Sequence, residues 1–148
     1  SNARMWRMAG LDALEPAPLS AEWGSDVDGR PTLRTAGHLA AHGKKCFAVE
    51  TLYTFGPSAV SLQVSVQSLP PVRDLPTLPR IGLRFSAAPR LSRLAWLGCG
   101  PGESYPDRKS AADWGVHCED IDGQHVEYMV PGENGGKADV HWAALTAP

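Results

Sequence analysis

Cysteine is scarce and poorly placed for cross-linking. Cys46, Cys99 and Cys118 are an odd number at wide spacings, which argues against a disulfide framework and predicts reduced, buried thiols and a cytoplasmic origin. An excess of either charge is missing too. A net charge of −2 supplies no basic field for phosphates, so nucleic acid is not an expected partner. No apolar run approaches the roughly 20 residues that cross a bilayer, and no charged start leads into an apolar segment, so no membrane partner is expected either. Sustained helical periodicity, internal repeats and low-complexity tracts are absent. So are Ser/His/Asp and P-loop patterns and the Cys-x-x-Cys pair of a zinc site.

What is present fits a folded domain. A chain of 148 residues, 43% of them hydrophobic, is long enough for one domain with one core that buries about two thirds of its unfolded surface. Ser1, Asn2 and Ala3 read as an expression-tag remnant, leaving 4–148 as the domain. Residues 4–14 are compatible with a short helix or a strand docking by Trp6 and Leu11. Pro16 and Pro18 force extended or turning backbone, and Asp26, Val27, Asp28 and Gly29 have turn chemistry.

The clearest local signal is a hairpin of 46–55 and 60–68. Phe47, Val49, Thr51 and Tyr53 alternate onto one face, Leu62, Val64 and Val66 do the same, and Gly56, Pro57 and Ser58 close the turn. The proline-rich span 69–79 excludes helix and central strand and must cross a surface or an edge. A second pair is expected from 78–88, where Ile81, Leu83 and Phe85 alternate, and 91–97, joined at Pro89 and Arg90. Asp107 is a candidate N-cap for a brief helical turn over 108–113. Strands at 125–130 and 138–146 follow, and a chain of seven or eight strands in all describes an all-β antiparallel sandwich.

Two glycine-rich loops punctuate this pattern. In the stretch 96–108, Trp96 and Leu97 end a strand, Gly98, Gly100 and Gly102 shape a loop with Pro101 and Pro106, and Glu103, Tyr105, Asp107 and Arg108 carry its polar groups. The second, 131–136, sets Glu133 and Asn134 between Gly132 and Gly135.

Together with Leu78, Pro79, Arg80, Ile81, Gly82 and Leu83 upstream and the run through Ala138, Asp139, Val140, His141 and Trp142 downstream, these loops resemble the small-chain, C-terminal β-sandwich domain of large β-galactosidases, glycoside hydrolase family 2. Trp6 and the Ala9-Gly10-Leu11-Asp12 run match the start of that domain. The resemblance covers residues 6–145. Ser104 replaces the family's Asn and Gly132 its Gln, departures expected to weaken side-chain hydrogen bonds while keeping the backbone shape.

The resemblance implies a supersandwich, galactose-mutarotase-like fold that continues past 131–142. The sandwich would then be incomplete here, with a strand edge open to another copy as a homo-oligomer. It implies part of a retaining glycosidase that hydrolyses terminal non-reducing β-D-galactose, with galactoside and the remaining domains of the parent chain as partners. Catalytic carboxylates, Mg²⁺ and Na⁺ belong to other segments, so no catalytic residue, metal ligand or cofactor is expected in this chain, which would be inactive alone. Gly132, Glu133, Asn134 and Gly135 would form a loop beside the active site of the family's separate catalytic (β/α)₈ barrel domain, and Glu103, Tyr105, Asp107 and Arg108 a structural loop motif. A carbohydrate-binding or scaffolding module without catalysis is the alternative.

Other chemistry weighs less. Glycoside hydrolysis needs two carboxyls about 5 to 5.5 Å apart for retention or ~6.5 to 9.5 Å for inversion, and Glu103 with Glu133 is the only pair on shaped loops. The dull reading of the second loop is a hairpin turn in which Glu133 caps a backbone N–H and Asn134 is left-handed. Trp96 and Trp142 are expected in the core, whereas Trp23 and Trp114 lie in polar surroundings suited to sugar stacking. His38 with His42, and His117 and Cys118 with Cys99, lack a standard zinc ligand set.

Overall fold

The computed structural model describes residues 2–17, 19–130 and 132–148. Ser1, Pro18 and Pro131, which belong to the tag reading, the first proline turn and the second loop, lie outside the described residues. Strand accounts for 43% of the chain. Both sheets are antiparallel and neither closes into a barrel, in keeping with an all-β sandwich. In place of one core there are two compact units, Ser1–Gly82 and Leu83–Pro148.

The first unit opens with a helix, α1 (Asn2–Met8). It stops where Gly10 takes a φ of 73°, and Leu11 N–H and Gly10 N–H then close back on Trp6 O at 3.0 Å and Arg7 O at 2.9 Å. That double closure satisfies the last carbonyls, and glycine accepts the left-handed backbone it needs. Trp6 Nε1 donates to Thr77 O at 2.8 Å, anchoring the helix.

Five strands follow: β1 (Glu15–Pro16), β2 (Ser20–Ser25), β3 (Pro31–Ala41), β4 (Lys44–Phe55) and β5 (Val60–Ser68). β1 and β2 both pair with β3, and β3–β4–β5 run in order. The Asp26 turn is the one expected. Asp26 Oδ1 accepts from Asp28 N at 2.9 Å and Arg30 N at 2.8 Å. The expected hairpin is β4–β5, with Val49, Thr51 and Tyr53 opposite Val66, Val64 and Leu62. β2 and β3 were not anticipated, and they place His38 and His42, four positions apart in sequence, on no helix. His38 lies in β3, and His42 forms with Gly43 a two-residue turn in which φ is 50° and 71°, the positive pair that hairpin turns favour. Three residues of β3, Leu39, Ala40 and Ala41, lie between the two histidines.

Ala41, Cys46, Phe47 and Val72 are the buried centre of this unit, with Leu11, Leu14, Leu39 and Leu78 packed against them. Val72 corrects the expectation that residues 69–79 exclude helix. It sits in a single turn, α2 (Pro70–Arg73), whose prolines occupy the first helical positions, where their missing N–H groups cost nothing.

The second unit is a three-stranded sheet, β6 (Arg93–Gly100) flanked by β7 (Asp113–Asp120) and β8 (Trp142–Thr146). Three expectations fail here. Residues 78–88 form no strand, and Ile81, Leu83 and Phe85 are exposed. Alternation makes a segment fit for a strand but does not supply a partner, and both edges of β6 are taken. Residues 125–130 form no strand either, because the Asn134 side chain takes the backbone of Val126 (Nδ2 to O at 3.0 Å, N to Oδ1 at 3.4 Å) where a ladder would have run. Asp107 caps no helix. It occupies the corner of a tight turn closed by Tyr105 and Arg108, and the chain soon enters β7, which was not anticipated. A 3-10 turn, Ile121–Gln124, follows β7.

Trp96, 1% exposed, is the centre of this sheet. Its Nε1 donates to Cys99 O at 3.0 Å, and His117, its cross-strand partner, lies with ring centroids 5.2 Å apart. Trp142, expected in the core, is 44% exposed. Cys118 is exposed as well, against the expectation of buried thiols, and Cys46 and Cys99 are buried.

Candidate functional site

The two glycine-rich loops come together at the end of β6. Beyond Leu97 the strand is bordered by residues 138–141: Cys99 N–H donates to Ala138 O at 3.0 Å and His141 N–H to Leu97 O at 2.8 Å. Gly98 permits this approach, since a Cβ there would stand 2.9 Å from Val140 Cα.

Residues 100–108 are then joined to 132–138 by a series of hydrogen bonds. Ser104 N–H donates to Gly136 O at 2.8 Å, and Ser104 Oγ accepts from Ala138 N at 2.9 Å. Tyr105 Oη accepts from Gly136 N at 3.2 Å. Lys137 Nζ donates to Gly102 O at 3.1 Å while lying 5.0 Å from the Trp96 ring centroid. Ser104 is 1% exposed, and its hydroxyl, which stands where the family has an Asn, accepts one hydrogen bond, from Ala138 N–H. A hydroxyl is short enough to reach the facing N–H from inside the turn.

Glu103 completes the join. Its Oε2 accepts from Gly135 N at 3.0 Å, and its Oε1 accepts from both Tyr128 Oη and Arg108 Nη2. Arg108 Nη1 also reaches Tyr128 Oη at 3.1 Å, and the guanidinium lies 5.3 Å from the Tyr105 ring centroid. Hydrogen bonds from Tyr128 and from Gly135 N–H, then the Arg108 charge, hold the Glu103 carboxyl below the usual carboxylate range. Burial pushes the Lys137 ammonium down, against the attraction of Glu119 and Glu103.

The structure therefore brings Glu103, Tyr105 and Arg108 into one cluster, with Asp107 exposed at the corner of their turn. Gly135, not Asn134, has the positive φ, 71°. Gly132 and Glu133 are exposed, next to a cleft of about 300 Å³ lined by His125, Val126, Glu127, Tyr128, Gly132 and Asn134. A general acid must carry a proton near neutral pH. Glu103, held ionised by three donors, is suited to fixing neighbouring groups and not to proton transfer.

The sequence reading missed Tyr128 and Lys137. Tyr128 carried no local signal, because it sat in an apparent strand. Lys137 followed two glycines that gave no hint of Trp96. Among the described residues, no three His, Cys, Asp or Glu side chains are grouped to hold a metal ion. His117 and Cys118 alternate across β7, so they cannot join Cys99 around one ion.

The sequence is similar to those of known proteins. A β-galactosidase from Priestia megaterium is 37% identical over 101 residues, 68% of this chain and 9% of the relative. One from Alteromonas mediterranea is 36% identical over 142 residues, and one from Enterobacter cloacae 33% over 137, each alignment taking in 90% of this chain and 13% of the relative. The chain thus spans about an eighth or less of the length of these relatives. The family described as the β-galactosidase small chain matches residues 1–148, and the protein belongs to that family.

Proposed function

We propose that this chain is the part of a β-galactosidase whose second loop, at Gly132, Glu133, Asn134 and Gly135, supports the active site of a separate catalytic barrel. The whole enzyme releases terminal non-reducing β-D-galactose with retention, in the cytoplasm. The chain alone binds no cofactor, and Mg²⁺ and Na⁺ act elsewhere in the parent, whose other domains and further copies are its partners. The observation that carries this reading is the fastening of the loop. Its backbone is bonded at Gly135 and Gly136 to residues 103–105, while Glu133 stays exposed at its tip. A charged group on a fixed, glycine-flanked loop is the arrangement that positions a neighbouring site.

A non-catalytic carbohydrate-binding module is favoured by one observation, the exposed Trp23 ring stacked on Phe55 at 5.7 Å between centroids. Its direct cross-strand neighbour, Leu33, offers nothing to sugar hydroxyls, so it stands second.

The test compares the isolated chain with the whole enzyme. The purified chain should not hydrolyse a chromogenic β-galactoside above background. In the parent, Glu133→Ala should lower kcat/KM about tenfold, or ~1.4 kcal/mol of transition-state stabilisation. In the chain, the same change should alter stability by less than about 1 kcal/mol. Wild-type kinetics in the Glu133→Ala parent would remove the supporting role.

A further inference from the structure

Glu103 lies outside the loop that the proposed function uses, yet it holds that loop's backbone. The carboxylate reaches across three segments. It is five residues from Arg108, 25 from Tyr128 and 32 from Gly135, and it accepts hydrogen bonds from all three. Its side chain is only 10% exposed, against 53% for Arg108, so the anion is shielded while its cation remains half in water. Hydrogen bonds to an ionised acceptor are roughly twice as strong as neutral ones, and stripping donors from a shielded carboxylate leaves its desolvation uncompensated.

Gly135 is the position where this matters. With a φ of 71°, and with room for no Cβ because Gln124 O would stand 2.5 Å from it, the position admits only glycine, whose backbone has no side chain to hold it. Glu103 fastens its N–H. The adjacent Asn134 is tied to Val126, two residues from Tyr128, so the carboxylate steadies both the loop and the segment facing it.

We infer that Glu103 is a positioning residue for β-galactoside hydrolysis, acting through Gly135 N–H and Tyr128 to set the loop that carries Glu133. This rests on the proposed supporting role of that loop. Tyr128 is the hydroxyl that completes the device, and Arg108 supplies the charge. Glu103 itself touches no reacting atom.

The experiment uses the full-length parent enzyme with Glu103→Gln and, should that variant fold poorly, Tyr128→Phe, which keeps the ring beside Arg108 and removes only the hydroxyl. Two readouts are needed: hydrogen–deuterium exchange of the segment containing Gly135, and kcat/KM per titrated active site, which discounts unfolded enzyme. Exchange is expected to quicken by about tenfold or more, and kcat/KM to fall by about tenfold. Unchanged exchange in both variants would overturn the inference whatever the kinetics. Quickened exchange with wild-type kinetics would show that the carboxylate fixes the loop but that the loop does not serve the active site. That outcome overturns the positioning role through the failure of the underlying reading and is distinguishable from the first.

Discussion

Glu103 accepts the backbone N–H of Gly135 at 3.0 Å across 32 residues of sequence. The bond is charge-assisted, and its strength depends on the carboxylate staying ionised. Tyr128 and Gly135 hold the Glu103 pKa below its ordinary value, and Lys109, bonded to Asp139 at 2.9 and 2.7 Å, does the same for Asp139. A carboxyl depressed in the folded state contributes stability that is fully present above its unfolded pKa and is lost as pH falls through the folded one. The chain should therefore lose stability on acidification below about pH 4, the ordinary carboxylate range. Urea midpoints measured across that range should fall, and Glu103→Gln should flatten the slope, leaving the Asp139 part. An acid slope identical in the variant would show that Glu103 is not paired in solution.

The tryptophans separate by burial, and substitution should follow that order. Trp96 fills the middle of the second sheet at 1% exposure, while Trp142 is 44% exposed. Trp96→Ala removes a fully buried indole and its bond to Cys99 O, at a cost of ~3–5 kcal/mol. Trp142→Ala should cost about 1 kcal/mol or less. Denaturant titration of both variants decides it. Comparable losses at the two sites would mean that Trp142 is covered in solution.

Local pattern was legible in the sequence, and distant partnership was not. The β4–β5 hairpin could be read because Val49, Thr51 and Tyr53 alternate opposite Val66, Val64 and Leu62 and a Gly-Pro-Ser turn separates them. Residues 78–88 alternate as cleanly and form no strand, since an apolar period reports suitability for pairing and not the presence of an edge. In β7, Trp114, Val116 and Cys118 alternate, but Gly115, His117 and the charged ends Asp113 and Asp120 dilute the apolar signal. The glycines and the Glu103 to Arg108 run marked both loops as shaped. That they bond to each other across 31 to 34 residues has no local signature, and neither does the arrival of Tyr128 at Glu103.

Thiol chemistry offers an independent check on burial. Cys118 is exposed, whereas Cys46 and Cys99 are buried, and burial together with Asp139 raises the Cys99 pKa. Since the thiolate is the reactive form, a chromogenic disulfide reagent should label Cys118 rapidly in the native chain and the other two only after denaturation. Cys118→Ser should abolish the fast phase. A fast phase that persists in that variant would mean one of the other thiols is open to solvent.

The closeness of the two loops makes one glycine decisive. A Cβ at Gly136 would stand 2.7 Å from Tyr105 Cε1 and 2.8 Å from Cζ, inside any tolerable contact, so either the ring or the backbone must move. Neither is at liberty to do so. Gly136 N–H is bonded to Tyr105 Oη, its carbonyl accepts from Ser104 N, and the Tyr105 ring lies beside the Arg108 guanidinium. Gly136→Ala should therefore destabilise the chain by ~1–3 kcal/mol, the usual cost of overpacking. Gly123→Ala is the control, because a Cβ there meets nothing within 4 Å; it should be neutral or stabilise by up to about 1 kcal/mol through the unfolded state. Thermal unfolding of the two variants separates the cases, with a loss of 1 kcal/mol lowering the midpoint by roughly 2–4 °C in a chain of about 150 residues. If Gly136→Ala melts with the wild type, Tyr105 must swing aside freely, and the hydrogen bonds between residues 103–105 and 135–138 do not hold the two loops as one body.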